Sequence, residues 1–242
     1  MDVGAGEAAV VEFPDRRIFV VDGGGILGED FDVGRAVVAR FLWSQRIRRI
    51  DGAVMTAPVL HHYGGLDSLV ALFQPKEFWS NRRSASSNRF DDLQDSLGAY
   101  GVQKVWVSNQ TRCRAVAGVI FCARAVGQDE TVALELFYGK VWMLLLPDGD
   151  TKWNAASQAR PIRSQPTVLK VPRHGKWDLE QFSPKVVVLS ARGSLKAAGP
   201  NDGRVPVFAT AQDGSVSVET DGTRVNVRGH TGRRLELSAV RP

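Results

Sequence analysis

The chain has 242 residues, 43% hydrophobic and 24% charged, a balance that excludes a disordered or collagen-like polymer and supplies enough apolar material for a real core. Its net charge of +5 permits a nucleic-acid partner without requiring one, and its two cysteines are too few for a disulfide framework. No apolar run reaches transmembrane length and no signal-peptide pattern opens the sequence, so the expectation is a soluble domain.

In chain order, "GEAAVVEF" and "RRIFVVDG" read as two strands joined at Pro14-Asp15, closed by the glycine run Asp22–Gly25. Residues 31–47 carry Val33, Val37, Phe41 and Leu42 at helical spacing. A strand in "RIDGAVMTA", a helix in "LDSLVALFQ", a strand in "PKEFWSN", a helix in "NRFDDLQDSLGAYG" and a strand in "VQKVWVSN" follow. Strands therefore alternate with helices over roughly residues 17–107, which predicts an α/β layout there. Beyond that point "AGVIFCARAV", "TVALELFYG" and "KVWMLLLPDGD" read as antiparallel strands, and "TVLKVPRHG" and "PKVVVLSA" as buried ones. The last part holds three short strands, with hairpin signals at Asp213-Gly214 and Asp221-Gly222. Cys113 and Cys122 flank a hairpin that turns near Ala117-Gly118. A cross-strand disulfide is conceivable there, but two small buried thiols is the favoured reading.

Several phrases, taken in order, carry a family resemblance. "MDVGAGEAAVVEF", "VVDGGG", "FDVGRAVVARFLWSQRIRRIDGAVMTAP", "HHYGGLDSLVALFQPKEFW", "LLLPDGD", "TVLKVPRHG", "PKVVVLSA" and the "DGSVSVETDG" hairpin together resemble the metallo-β-lactamase-like domain of ComEC-type DNA-internalisation competence proteins. The resemblance spans nearly all of residues 2–229. It implies a single domain over residues 1–242, an α/β four-layer αββα sandwich of the metallo-β-lactamase type, with its site at one edge between the sheets. It also implies kinship with hydrolases that use two zinc or manganese ions. In the competence family the domain is attached to a membrane channel and degrades the DNA strand that is not imported.

A di-metal site needs three or more nitrogen or oxygen ligands per ion. The family's first motif, His-x-(His or Asp)-x-Asp-His, falls on Ala57, Val59, His61 and His62. Ala57 and Val59 offer no donor atom, so half of the motif is eroded. Asp150 takes the place of the family's bridging aspartate, with Asp148 close enough to compete, and His174 takes the place of the second histidine of the late motif. The candidate metal ligands are therefore His61, His62, Asp150 and His174, with His62 and Asp150 in the catalytic role. One zinc or manganese ion, or none, fits this set, and no small-molecule cofactor is expected.

Arg173 and Lys176 bring positive charge to the late motif. With Lys170, and with Arg82, Arg83 and Arg89 in the Ser/Asn-rich stretch, they form the expected DNA contacts, since basic side chains beside exposed Ser and Asn suit a phosphate backbone. Trp79, Trp106 and Trp142 lie in apolar strands and read as core, whereas Trp153 and Trp177 follow the two retained motifs and could meet a substrate. "DGGG" lacks the Lys-Ser/Thr of a P-loop and reads as a positive-φ turn with a weak supporting role at the site.

Three readings stay open. The first is a competence-type domain that contacts single- or double-stranded DNA with weak or no nuclease activity. The second is an active phosphodiesterase using a reduced ligand set, and the third is a structural module beside the membrane channel domains of a parent or partner protein. The expected place is the outward-facing side of a bacterial cell membrane.

Overall fold

The alternation of strands and helices in the first half folds as a five-stranded sheet. In the computed structural model, which describes residues 1–4, 6–25, 31–148, 165–172, 182–190 and 205–239, this sheet has the order β1 (Ala9–Glu12), β2 (Ile18–Val21), β3 (Gly52–Val54), β4 (Glu77–Ser80), β5 (Gln103–Trp106). β1 and β2 form an antiparallel hairpin, while β2 to β5 run parallel. The sheet and its helices make up the first of two compact units, Met1 with Val3–Ser108.

Helices α3 (Leu66–Phe73) and α4 (Asn88–Ala99) connect the parallel strands and bury one face each. α3 buries Leu66, Leu69, Val70 and Phe73, and α4 buries Phe90, Leu93 and Leu97, at the spacing that a helix packed on a sheet requires. These side chains join Val20, Ala53 and Phe78 of the sheet in one core. Ser87 starts α4 by accepting the Phe90 amide at 3.2 Å, an N-cap worth about 1 kcal/mol.

The helix expected over 31–47 is shorter and differently wound. It begins as a π-helical segment, Gly34–Ala39, and continues as α1 (Arg40–Ser44). Gly34 lies against the backbone of Gly65, where a Cβ would stand 2.0 Å from the Gly65 carbonyl oxygen, so the first turn tolerates no side chain at that position. The end is a Schellman-type cap: the Ile47 amide donates to the Leu42 carbonyl at 2.9 Å, with Arg46 at φ 60° where glycine is usual.

The second unit, Asp2 with Asn109–Pro242, holds a seven-stranded sheet of order β12-β11-β10-β9-β8-β7-β6. Here β6 is Arg112–Val116, β7 Val119–Val126, β8 Thr131–Tyr138, β9 Val141–Leu145, β10 Val168–Val171, β11 Val186–Leu189 and β12 Val207–Ala209. β6 to β9 pair antiparallel and β9 to β12 pair parallel.

The β6–β7 hairpin turns at Ala117 and Gly118, both at positive φ, and sets Cys113 directly opposite Cys122 with Cα atoms 4.1 Å apart. The pair is a disulfide, which corrects the favoured reading of two buried thiols. Cys122 is buried, but Cys113 is exposed on the edge strand, and the hairpin register brings the two sulfurs together.

The Asp213-Gly214 signal is not a hairpin either. Asp213 closes a short helix, α5 (Thr210–Asp213), that leads out of the large sheet. A separate antiparallel meander follows: β13 (Val216–Thr220), β14 (Arg224–Gly229) and β15 (Arg234–Ser238). Asp221-Gly222 does form the β13–β14 turn, whereas β15 carried no clear sequence signal. The meander buries Val225 and Val227 against Val141, Val168, Val186 and Phe208 of the large sheet. Arg233 ties the two together, donating to the Val207 carbonyl at 2.6 Å, standing 3.5 Å from Asp213 and lying 4.3 Å over the Phe208 ring.

Candidate functional site

The loops that follow β2 and β3 build one buried polar knot in the first unit. β2 ends at Asp22, whose φ of 59° turns the chain into the glycine run. β3 leads to Thr56, and α2 (Leu60–Tyr63) carries His61 and His62. Asp22, Thr56 and His62 are all buried, His62 completely. Asp22 Oδ1 accepts the Thr56 amide at 2.7 Å, and Oδ2 accepts the Thr56 hydroxyl at 2.6 Å. His62 Nδ1 lies 2.8 Å from the same Oδ2 and 2.9 Å from Thr56 Oγ1.

These distances fix the tautomer. The Thr56 hydroxyl spends its proton on Asp22, so Nδ1 faces two acceptors and must carry the imidazole proton. The lone pair of the neutral ring is then on Nε2. This is how a carboxylate orients a metal-binding histidine: it holds the ring plane, selects the nitrogen and raises its basicity.

Backbone contacts hold α2 in place. The Gly23 amide donates to the His62 carbonyl at 2.7 Å, Glu7 donates to the His61 carbonyl at 2.9 Å, and Gly65 donates to Gly24 at 3.0 Å. A Cβ on Gly23 would stand 2.6 Å from the Leu66 nitrogen and 2.8 Å from the Gly65 carbonyl carbon, and one on Gly25 would stand 2.2 Å from the Leu60 carbonyl oxygen. The "DGGG" and "HHYGG" runs are therefore two halves of one close backbone junction. The positive-φ reading of "DGGG" describes it only in part, because the loop also delivers Asp22 to His62.

His61 is half-buried, and its ring lies 4.6 Å from that of His62, centroid to centroid. Ala57 is buried, and Val59 is 40% exposed at the start of α2. Neither has a donor, so the residues that correspond to the first ligands of the family motif do not fit a two-ion centre. The oriented imidazole of His62 does fit a single ion.

In the second unit, Asp148 follows β9 and is buried. Asp150, His174, Arg173, Lys176, Trp153 and Trp177 lie outside the described residues. Lys170 is half-buried in β10, an interior strand of the large sheet.

The first basic group is split. Arg82 and Arg83 are exposed after β4, and the Arg82 guanidinium lies 5.9 Å from the centre of the Trp106 ring. Arg89 instead lines a cleft with Asp32, Asp67 and Asp92, a setting that does not favour phosphate. Trp79 and Trp142 are core, as expected, but Trp106 is 42% exposed. It stands on β5, which among the described residues has a neighbouring strand on one side only, and this corrects its assignment to the core.

Structural comparison places the fold. A diphosphatase of the PhnP family superimposes with a TM-score of 0.52 at 14% identity, over 84% of this chain and 81% of that one. The short form of human tRNase Z gives 0.57 at 10% identity, over 85% and 94%. The metallo-β-lactamase-fold protein YhfI of Bacillus subtilis gives 0.57 at 10% identity, over 85% and 88%. The chain has the metallo-β-lactamase sandwich fold, as the sequence led us to expect. No family model and no curated protein matches the sequence. Among the described residues, no helix is long and apolar enough to cross a membrane.

Proposed function

We propose that this chain is a DNA-handling domain of the competence type that has kept one cation position and lost the other. The observation that carries the reading is the buried Asp22–Thr56 pair, which fixes the His62 tautomer and aims Nε2 as a ligand atom. A buried neutral imidazole has one donor and one acceptor nitrogen to satisfy, and here a carboxylate and a hydroxyl both converge on the donor, Nδ1.

The donors at hand in the first unit are the adjacent imidazoles of His61 and His62 on α2. A bound zinc or manganese ion would supply Lewis acidity toward a phosphoryl oxygen. Asp22 would keep the His62 ring in position and retain its Nδ1 proton, while Ala57 and Val59 contribute no donor atom to a second ion. A single-ion site of this kind gives weak phosphodiester hydrolysis at best, because a second ion would stabilise the leaving oxygen.

DNA enters the reading through the ordered family motifs, the net positive charge and the exposed pair Arg82 and Arg83. The Cys113–Cys122 disulfide supports a place outside the reducing cytosol, consistent with work on the outer side of a membrane.

Salt-dependent binding of labelled single- and double-stranded DNA, run alongside metal analysis, tests the proposal. Binding that weakens steeply with salt, with about one ion per chain, supports it. Absence of DNA binding at low salt favours a structural module instead.

A further inference from the structure

The parallel strands of the first unit give it two chemically different ends. The loops after the strands carry Asp22, Thr56 and Asn81. The loops before them carry Arg16 and Arg17 ahead of β2, Arg46, Arg48 and Arg49 ahead of β3, and Lys76 ahead of β4. The carboxylates within this second rim are largely taken up. Asp15 pairs with Arg17 at 2.6 Å, and Asp51 pairs with Lys76 at 2.9 Å while accepting the Ile18 amide. Glu12, at the end of β1, is a further exposed acid. Arg16, Arg46, Arg48 and Arg49 are exposed and have no ion-pair partner among the described residues.

Two large aromatic side chains stand on the same rim. Trp43, 46% exposed, ends α1, and Tyr100, 45% exposed, follows α4 just ahead of β5. Trp43 is anchored by its contact with Phe73 at the end of α3, 5.8 Å between ring centres. The strand and helix ends therefore present unpaired arginines flanked by two amphipathic rings.

We infer that this rim docks onto an anionic lipid surface. Arginines without internal partners attract phosphate headgroups, and Trp and Tyr are the side chains that settle at headgroup depth. A nucleic acid would also answer the charge. However, the rim is at the opposite end of the sheet from Asp22 and His62, so a polyanion bound there would lie away from the candidate site. A surface that holds the domain by this rim leaves the His62 end facing outward. The inference does not depend on any ion at His62.

The test is flotation of the purified chain with vesicles of pure phosphatidylcholine and with vesicles containing about a third phosphatidylglycerol, at low and high salt. We expect capture by the anionic vesicles alone, reversed by salt. The triple variant Arg46→Glu, Arg48→Glu, Arg49→Glu should lose at least about tenfold in partitioning. Trp43→Ser should lose severalfold with an unchanged circular dichroism spectrum. His62→Ala should bind vesicles like the parent chain, which separates this inference from the metal reading. No capture by anionic vesicles would overturn the proposal. So would a triple variant that binds vesicles normally but loses affinity for single- or double-stranded oligonucleotides, since the rim would then be a nucleic-acid surface.

Discussion

Asp22 Oδ2 lies 2.8 Å from His62 Nδ1, with both side chains buried and the Thr56 hydroxyl bonded to the same oxygen. The ends of β2 and β3, 34 residues apart at Asp22 and Thr56, thus converge on the imidazole that α2 carries and set its proton. Replacing Asp22 by asparagine keeps the shape but turns part of the acceptor set into a donor. The ring loses its fixed tautomer, and zinc affinity should fall about 10–100-fold. Competitive titration with a chromophoric chelator measures this, and an unchanged affinity would make Asp22 a packing residue only.

Removing the imidazole has a structural cost as well. His62→Ala leaves the Asp22 carboxylate and the Thr56 hydroxyl buried with one partner fewer, and each poorly satisfied group costs about 1–3 kcal/mol. The metal-free melting temperature should drop by roughly 5–10 °C for a chain of this size. Calorimetry in the presence of a chelator separates this effect from loss of an ion.

The glycine junction predicts a sharp steric response. A Cβ at Gly34 would stand 2.0 Å from the Gly65 carbonyl oxygen, and backbone cannot swing aside as a side-chain tip can. Gly34→Ala should destabilise by about 1–3 kcal/mol or more, whereas Gly98→Ala, with open space around its Cβ position, should be neutral or slightly stabilising in its helix. Urea denaturation of the two variants is the comparison to make.

Much of the fold was legible because burial writes itself into periodicity. The α3 stripe of Leu66, Leu69, Val70 and Phe73 and the four buried residues of β4 follow their patterns. The wide first turn at Gly34 was not legible, because it answers to the backbone of Gly65, 31 residues away. Trp106 misled for a related reason: an apolar strand looks the same at the edge of a sheet as at its centre. For the site, the erosion at Ala57 and Val59 was plain from residue type. The identity of the residue that orients His62 was not, since Asp22 sits in a glycine run that a simple turn would also explain. The disulfide depended on a register that places position 113 opposite 122.

Reduction of that disulfide offers a further check. Closing a loop of this length restrains the unfolded chain by about 2–3 kcal/mol in the chain-entropy account. With Cys113 exposed on an edge strand, mild reductant should reach it, release two thiols per chain and lower the denaturation midpoint accordingly. Thiol titration before and after reduction, without denaturant, tests this.

The β13–β14 turn carries a pH signature. The amides of Arg224 and Thr223 and the Thr223 hydroxyl donate to Asp221, holding its carboxyl down to about 2. The ionised form is favoured in the folded turn, so this contribution is present above the ordinary carboxylate range and fades as the pH falls toward 2. Amide exchange at Arg224 should accelerate over that window in the parent chain. In Asp221→Ala it should be fast throughout, with no matching step.

The most direct test of the account is the metal content of the chain after reconstitution with zinc or manganese and removal of excess ion. The account predicts about one ion per chain, strongly reduced in Asp22→Asn and absent in His62→Ala. Less than a tenth of an equivalent in the parent chain, or two ions that survive the loss of His62, would contradict it.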